Sequence, residues 1–231
     1  MNERRIRVWD LPTRIFHWPL PVVVGAAVVT GLQGGNLMVW HGRLGVLLGG
    51  LLAFRLAWGV VGSSYARFSH FVRGPGAIRA YLRGQWRGAG HNPLGALSVL
   101  LLAVLAVQVA TGLAANDDIA FNGPLYPAVS KDTSDWLTSL HHRNVWLIGV
   151  LVGLHVLAVL HYARVRRENL VKPMLTGFKV VSDPAHPSAR GGGPVAIVVA
   201  LAVAGLVVWA ASGNLLPPAP PPPAPETLPD W

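Results

Sequence analysis

Residues 140–155 read LHHRNVWLIGVLVGLH, and this stretch decides the fold. Its only fixed charge is Arg143, and the run from Asn144 to Ala163 carries none before Arg164. A helix needs about 20 such residues to cross about 30 Å of hydrocarbon. An ionisable side chain inside such a span is costly to keep, which makes its histidines functional candidates. His141 and His155 are 14 residues apart. On a helix that is about 21 Å along the axis and within about 40° around it, so the two share one face near opposite sides of a bilayer. His142 and His161 lie about 220° and about 240° from His155 and fall off that face.

Outward from this stretch the same texture repeats. Ile15 to Gly42 and Gly88 to Asn116 are charge-free, Leu44 to Val61 is interrupted by Arg55 alone, and a last apolar run extends from Val195 to Ala211. The chain has 231 residues, 52% of them hydrophobic and 13% charged, with mean hydropathy +0.44, too apolar for an ordinary soluble domain. The expected fold is an all-α membrane protein: a four-helix transmembrane bundle plus a fifth, C-terminal transmembrane helix. The expected units are residues 1–178 for the bundle, 179–194 for a cytoplasmic linker, 195–212 for the additional helix and 213–231 for a proline-rich periplasmic tail. That tail is read as a disordered terminus or as a docking strap for an external partner. The first span is long, and its Gly25-Ala26-Ala27 lies too deep to be a signal-peptide cleavage site, so it is read as a retained helix. Pro19 and Pro21 should kink it just beyond His17.

Charge placement orients these spans. The net charge of +9 would suggest nucleic acid if it formed one surface. Instead Arg4, Arg5, Arg7 and Arg14 precede the first span, and Arg67, Arg73, Arg79, Arg83 and Arg87 follow the second. Arg164, Arg166, Arg167, Lys172, Lys179 and Arg190 follow the fourth. The loop after the third span has Asp117, Asp118, Asp132 and Asp135 against Lys131 alone. By the positive-inside rule the N-terminus is cytoplasmic and the C-terminus periplasmic, in a multi-pass protein of the bacterial inner membrane, with no role in nucleic-acid binding. The acidic loop either docks a basic partner or simply obeys that rule.

Two depths are marked twice. His41 and His141 stand near the outer face, His17 and His155 near the inner one. Two imidazoles from different helices at one depth suit a haem, whereas zinc ordinarily takes three or four protein ligands. With no cysteine in the chain the haem is held without a thioether bond. Gly25 and Gly31 on the first helix and Gly45 and Gly49 on the second either admit a flat macrocycle or mediate plain helix packing. Arg55, 14 residues beyond His41, either meets a haem propionate or snorkels to the headgroups. No quinone motif is visible: His91 and Asn92 lie near the inner face, and Gln108 and Thr111 lie in the third helix.

Seven pieces of the chain together resemble the bacterial di-haem membrane cytochromes of the b561 type, which include the b-type cytochrome subunit of nickel–iron hydrogenases. They are VWDLPTRIFHW with His17, WHGRLG with His41, FRLAWGVVGSSYARF, GHNPLG, ANDDIAFNGP, LHHRNVWLIGVLVGLH and RRENLVKPMLTG, within residues 7 to 178. The resemblance implies a four-helix bundle holding two haem b groups, His17 with His155 and His41 with His141. It implies electron transfer between the quinone pool and a periplasmic redox partner, a c-type cytochrome or a hydrogenase-like subunit. The fifth helix and its tail lie outside it. Such a protein is an electron carrier or an oxidoreductase subunit rather than a stand-alone enzyme. The competing readings are a superoxide:quinone oxidoreductase and a proton-coupled transporter using intramembrane histidines. Bis-histidine ligation disfavours the first by leaving no open iron position. The second expects acids within the spans, where Arg55 is the only charge.

Overall fold

The computed structural model describes residues 4–71, 76, 79, 80, 83, 97–181 and 186–217. His91, Asn92, Arg73, Arg87, the GHNPLG segment, the start of the third charge-free run and the proline-rich tail from residue 218 onward lie outside the described residues.

Strand β1 (Arg4–Arg7) leads into helix α1 (Leu11–His17), which stops at Trp18; α2 (Pro19–Gln33) begins at once. Asp10 caps α1 by accepting the Thr13 N–H at 2.7 Å, and Pro19 opens α2 at the first helical position, where its missing N–H costs nothing. The expected interruption past His17 is therefore present, at Trp18. Gly34, at φ 65°, ends α2, and a single 3₁₀ turn (Gly35–Leu37) reverses the chain into α3 (Met38–Val61). After a short α4 (Phe68–Phe71) comes α5 (Leu97–Leu113), then a loop with one 3₁₀ turn, then α6 (Lys131–Arg164). Ser130 caps α6, whose 34 residues span about 51 Å. Helix α7 (Val171–Thr176), strand β2 (Phe178–Val181) and α8 (Pro194–Trp209) complete the chain, α8 running on through a π-helical turn, Ala210–Asn214.

Four segments are long and apolar enough to cross a membrane: Leu11–Gln33, Gly35–Val61, Lys131–Arg164 and Pro194–Asn214. The described part of the third charge-free run forms α5, whose 17 residues span roughly 26 Å. Five crossing helices were expected; among the described residues four reach the length.

Helix α3 is the central element. It packs on α2, α5 and α8, while α5 packs on α6. The largest core cluster joins Phe16 and Val23 to Leu48 and Leu52, Leu102 and Leu105, and Ile148 and Leu151. Small residues set the approach of α8: a Cβ on Gly50 would come within 2.5 Å of Val208, and Ala200 is fully buried beside Trp58 and Ala66. Beyond Leu151 the α6 helix is exposed over Val152–Ala158.

The arginine-rich end is clasped. β1 pairs antiparallel with β2, Arg4 opposite Val181 and Arg7 opposite Phe178. The Gly177 carbonyl, at φ 87°, accepts the N–H groups of Val8 and Trp9, and Arg14 and Trp18 donate to the Leu175 and Met174 carbonyls. The stretch read as a linker from residue 179 starts inside β2. Its described part is tied down as well: Ala189 donates to Arg7, Arg190 accepts from Ser64, and Ser63 bridges to Gly191.

Candidate functional site

The two histidine pairs expected from the sequence are assembled by the fold. His41, near the start of α3, faces His141 of α6 with ring centres 5.9 Å apart and planes at 85°. His17, the last residue of α1, faces His155 of α6 with centres 6.4 Å apart and planes at 58°. His142 and His161 belong to neither pair and are exposed. Among the described residues no group of three or more His, Cys, Asp or Glu could hold a metal ion.

The hydrogen bonds at the first pair decide which nitrogen faces inward. His41 Nδ1 lies 2.8 Å from the Ala27 carbonyl and His141 Nδ1 lies 2.9 Å from the Gln108 carbonyl. A carbonyl only accepts, so both Nδ1 atoms carry the hydrogen and both Nε2 atoms keep a lone pair. On His141 that lone pair accepts from the Gln108 side-chain amide at 3.0 Å, and Asn144 donates in turn to Gln108 Oε1 at 2.8 Å and to the Val104 carbonyl at 3.0 Å. A metal takes the His141 lone pair only in exchange for the Gln108 bond. Gln108 and Thr111, which carried no motif, thus contact a candidate ligand, and Asn144 is a buried member of the same network. Their polar side chains inside otherwise apolar helices were the available signal.

The small residues divide between the two readings. A Cβ on Gly31 would lie 2.9 Å from the His41 ring, so this glycine admits an imidazole. Gly49 meets Val109 and Val207, which is helix packing. Gly25 and Gly45, like Gly149 and Gly153 on α6, have no atom within 4 Å of where a Cβ would stand.

Arg55 is 5% exposed and does not snorkel. It donates to the Ala66 carbonyl at 3.2 Å and stacks over Phe68 at 4.7 Å. Nearby, the buried Asp10 carboxylate accepts from Trp58 Nε1 at 3.0 Å and from the Ser63 hydroxyl, besides capping α1. This cluster, which the sequence did not single out, joins the helix carrying His17 to the end of α3.

At the opposite end the acidic loop is largely self-satisfied. Asp117 Oδ1 accepts the N–H groups of Phe121, Ile119 and Ala120 at 2.8–3.0 Å, and these bonds hold its carboxyl below the usual carboxylate range. Lys131 bridges Asp118 and Asp135 at 2.5 and 2.6 Å. The loop lies over the start of α3, with Phe121 against Gly42.

Long apolar helices that bring imidazoles together in facing pairs define a class: membrane proteins that hold a redox cofactor between neighbouring helices. The chain belongs to the prokaryotic cytochrome b561 family, which matches residues 8–177. Among curated proteins it is similar to a probable Ni/Fe-hydrogenase B-type cytochrome subunit of Rhizobium leguminosarum bv. viciae, 24% identical over 221 residues covering 79% of this chain and 92% of the relative. The counterpart in Azotobacter vinelandii is 25% identical, covering 79% and 91%. A probable Ni/Fe-hydrogenase 1 B-type cytochrome subunit of Escherichia coli K12 is 24% identical, covering 74% and 89%. No solved structure matches the chain. The protein is thus a multi-pass membrane cytochrome b of electron transport, and its family implies haem b.

The residues present fit that group. A metal–nitrogen bond of about 2 Å on each side, plus the half-width of each imidazole, puts two rings on one metal about 6 Å apart between centres. Both pairs have this spacing. Donating the far ring nitrogen to a backbone carbonyl, as His41 and His141 do, is the usual support for a ligating histidine.

Proposed function

We propose that this chain carries electrons across the membrane between the quinone pool and a redox protein on the periplasmic side, using two haem b groups. His41 and His141 ligate one of them and His17 and His155 the other. Bound haem supplies reversible one-electron exchange between ferric and ferrous iron. The chain's part is to hold the rings and tune them. Ala27 and Gln108 fix the His41 and His141 tautomers, so that Nε2 is the ligating atom. Asp10 and the α7 carbonyls seat the segment bearing His17. Arg55 has one hydrogen bond to the protein among the described residues and retains N–H groups for a propionate. The observation that carries this reading is the pair of facing imidazoles at each of two levels along α6.

The relatives are named as hydrogenase cytochrome subunits, so a hydrogenase-like partner is the first candidate on the acidic side, with a c-type cytochrome as the alternative. The N-terminus and the arginine-rich clasp are cytoplasmic, and all five apolar helices, α8 included, lie in the inner membrane. Purified protein is expected to show low-spin b-haem spectra at about two haems per chain. His41→Ala and His141→Ala are each expected to lose one haem and keep the other. A folded but colourless protein, or variants that lose neither haem, would overturn the reading.

A further inference from the structure

One short motif occurs twice. α2 contains Val28-Val29-Thr30-Gly31-Leu32 and α5 contains Val109-Ala110-Thr111-Gly112-Leu113. The local geometry repeats with it. Thr30 Oγ1 lies 2.7 and 3.1 Å from the Ala26 and Ala27 carbonyls, and Thr111 Oγ1 lies 2.8 and 3.0 Å from those of Val107 and Gln108. In each helix the carbonyl four residues before the glycine accepts the Nδ1–H of a histidine from another helix: Ala27 from His41, Gln108 from His141. In each the glycine admits the ring, for a Cβ would stand 2.9 Å from His41 at Gly31 and 2.6 Å from His141 at Gly112. Both glycines lie in the last turn of their helices, Gly31 two residues before the end of α2 and Gly112 one residue before the end of α5. The other pair has no such seat: among the described residues neither His17 nor His155 donates to a backbone carbonyl.

We infer that the two Thr-Gly steps are positioning elements that make His41–His141 the lower-potential site of the two. The inference rests on the haem reading above. A carbonyl that accepts Nδ1–H raises the basicity of the ligating Nε2, and a stronger donor favours ferric over ferrous iron. His41 and His141 both gain this push, so the iron between them is the harder to reduce. His17 and His155 bind as unassisted neutral imidazoles and form the easier site. Each glycine acts through its histidine.

The test is a potentiometric titration of the purified holoprotein, following haem absorbance in the wild type, Gly31→Ala, Gly112→Ala and His41→Ala. Two components are expected. His41→Ala retains the higher-potential one, and each alanine variant moves the lower component upward while the upper stays in place. A merely structural glycine would lower thermal stability without moving one potential selectively. Since the chain has no cysteine, a nitroxide on Ile119→Cys serves as a measurement that spares the ligands. It sits in the loop that covers the start of α3, and its relaxation, quickened by the nearest ferric haem, is expected to slow as the lower-potential component is reduced. Two haems of equal potential, the reverse order, nitroxide relaxation that slows with reduction of the upper component, or alanine variants that shift neither component overturn the inference alone. A haem-free protein overturns the parent reading.

Discussion

Asp10 does three things with one carboxylate: it caps α1, accepts the indole N–H of Trp58 and accepts the hydroxyl of Ser63. Trp58 is wholly buried, so without Asp10 its N–H has no acceptor and no water. Asp10→Ala should therefore cost about 1–3 kcal/mol, from the lost cap and the stranded donors. The expected readout is a lower thermal midpoint, with the haem proposed at His17 and His155 released first on heating; equal release from both proposed sites would refute the local role. At this scale the histidines were legible, because a membrane makes each one expensive and their spacing sorts them by face and depth. Asp10, Gln108 and Asn144 were not. Their roles arise from partners 33 to 53 positions away, Trp58 and Ser63 for the first and α6 against α5 for the others. No periodicity announces such pairs. The repeated Thr-Gly step was visible as a string, but not the imidazole that each one seats.

Helices were mostly readable from their charge-free runs, and the break just past His17 from Pro19. What the runs could not convey is neighbour choice. α8 is apolar on every side, so nothing in its pattern selects the face that meets α3, and that face is set by small residues. Ala200 is fully buried against Trp58 and Ala66, whereas Leu201 next to it is 57% exposed. Ala200→Phe should overpack this contact at about 1–3 kcal/mol, while Leu201→Phe should be nearly neutral. Heating the two variants and following haem absorbance separates them; equal effects would mean that α8 does not dock on α3 as described. Absence of charge from Gly88 to Asn116 reads as one long span, and its described part, Leu97–Leu113, is helical.

For the molecule as a whole, charge placement carries the proposed orientation. The basic segments before α2 and after α6 meet in one clasp, while Asp117 and its neighbours lie at the other end of α6. Single-cysteine variants test this without background, as the chain has none of its own. Ile119, 89% exposed, and Arg166, also exposed, suit labelling. An impermeant maleimide should label Ile119→Cys in spheroplasts and Arg166→Cys only after the membrane is opened. The reverse pattern would invert the topology.

The clasp also dictates an order of events during synthesis. Arg4 pairs with Val181, so β1 leaves the ribosome long before its partner exists. At about 5–20 residues per second the wait is roughly 10–35 s. Over that interval every helix from α1 to α6 is translated while the strand ahead of His17 has nothing to pair with. α7, whose carbonyls hold Arg14 and Trp18, also comes late in the chain. His17 is therefore among the first candidate ligands made and the last to be locked in place, and maturation of its site is timed by the closing of a four-residue strand.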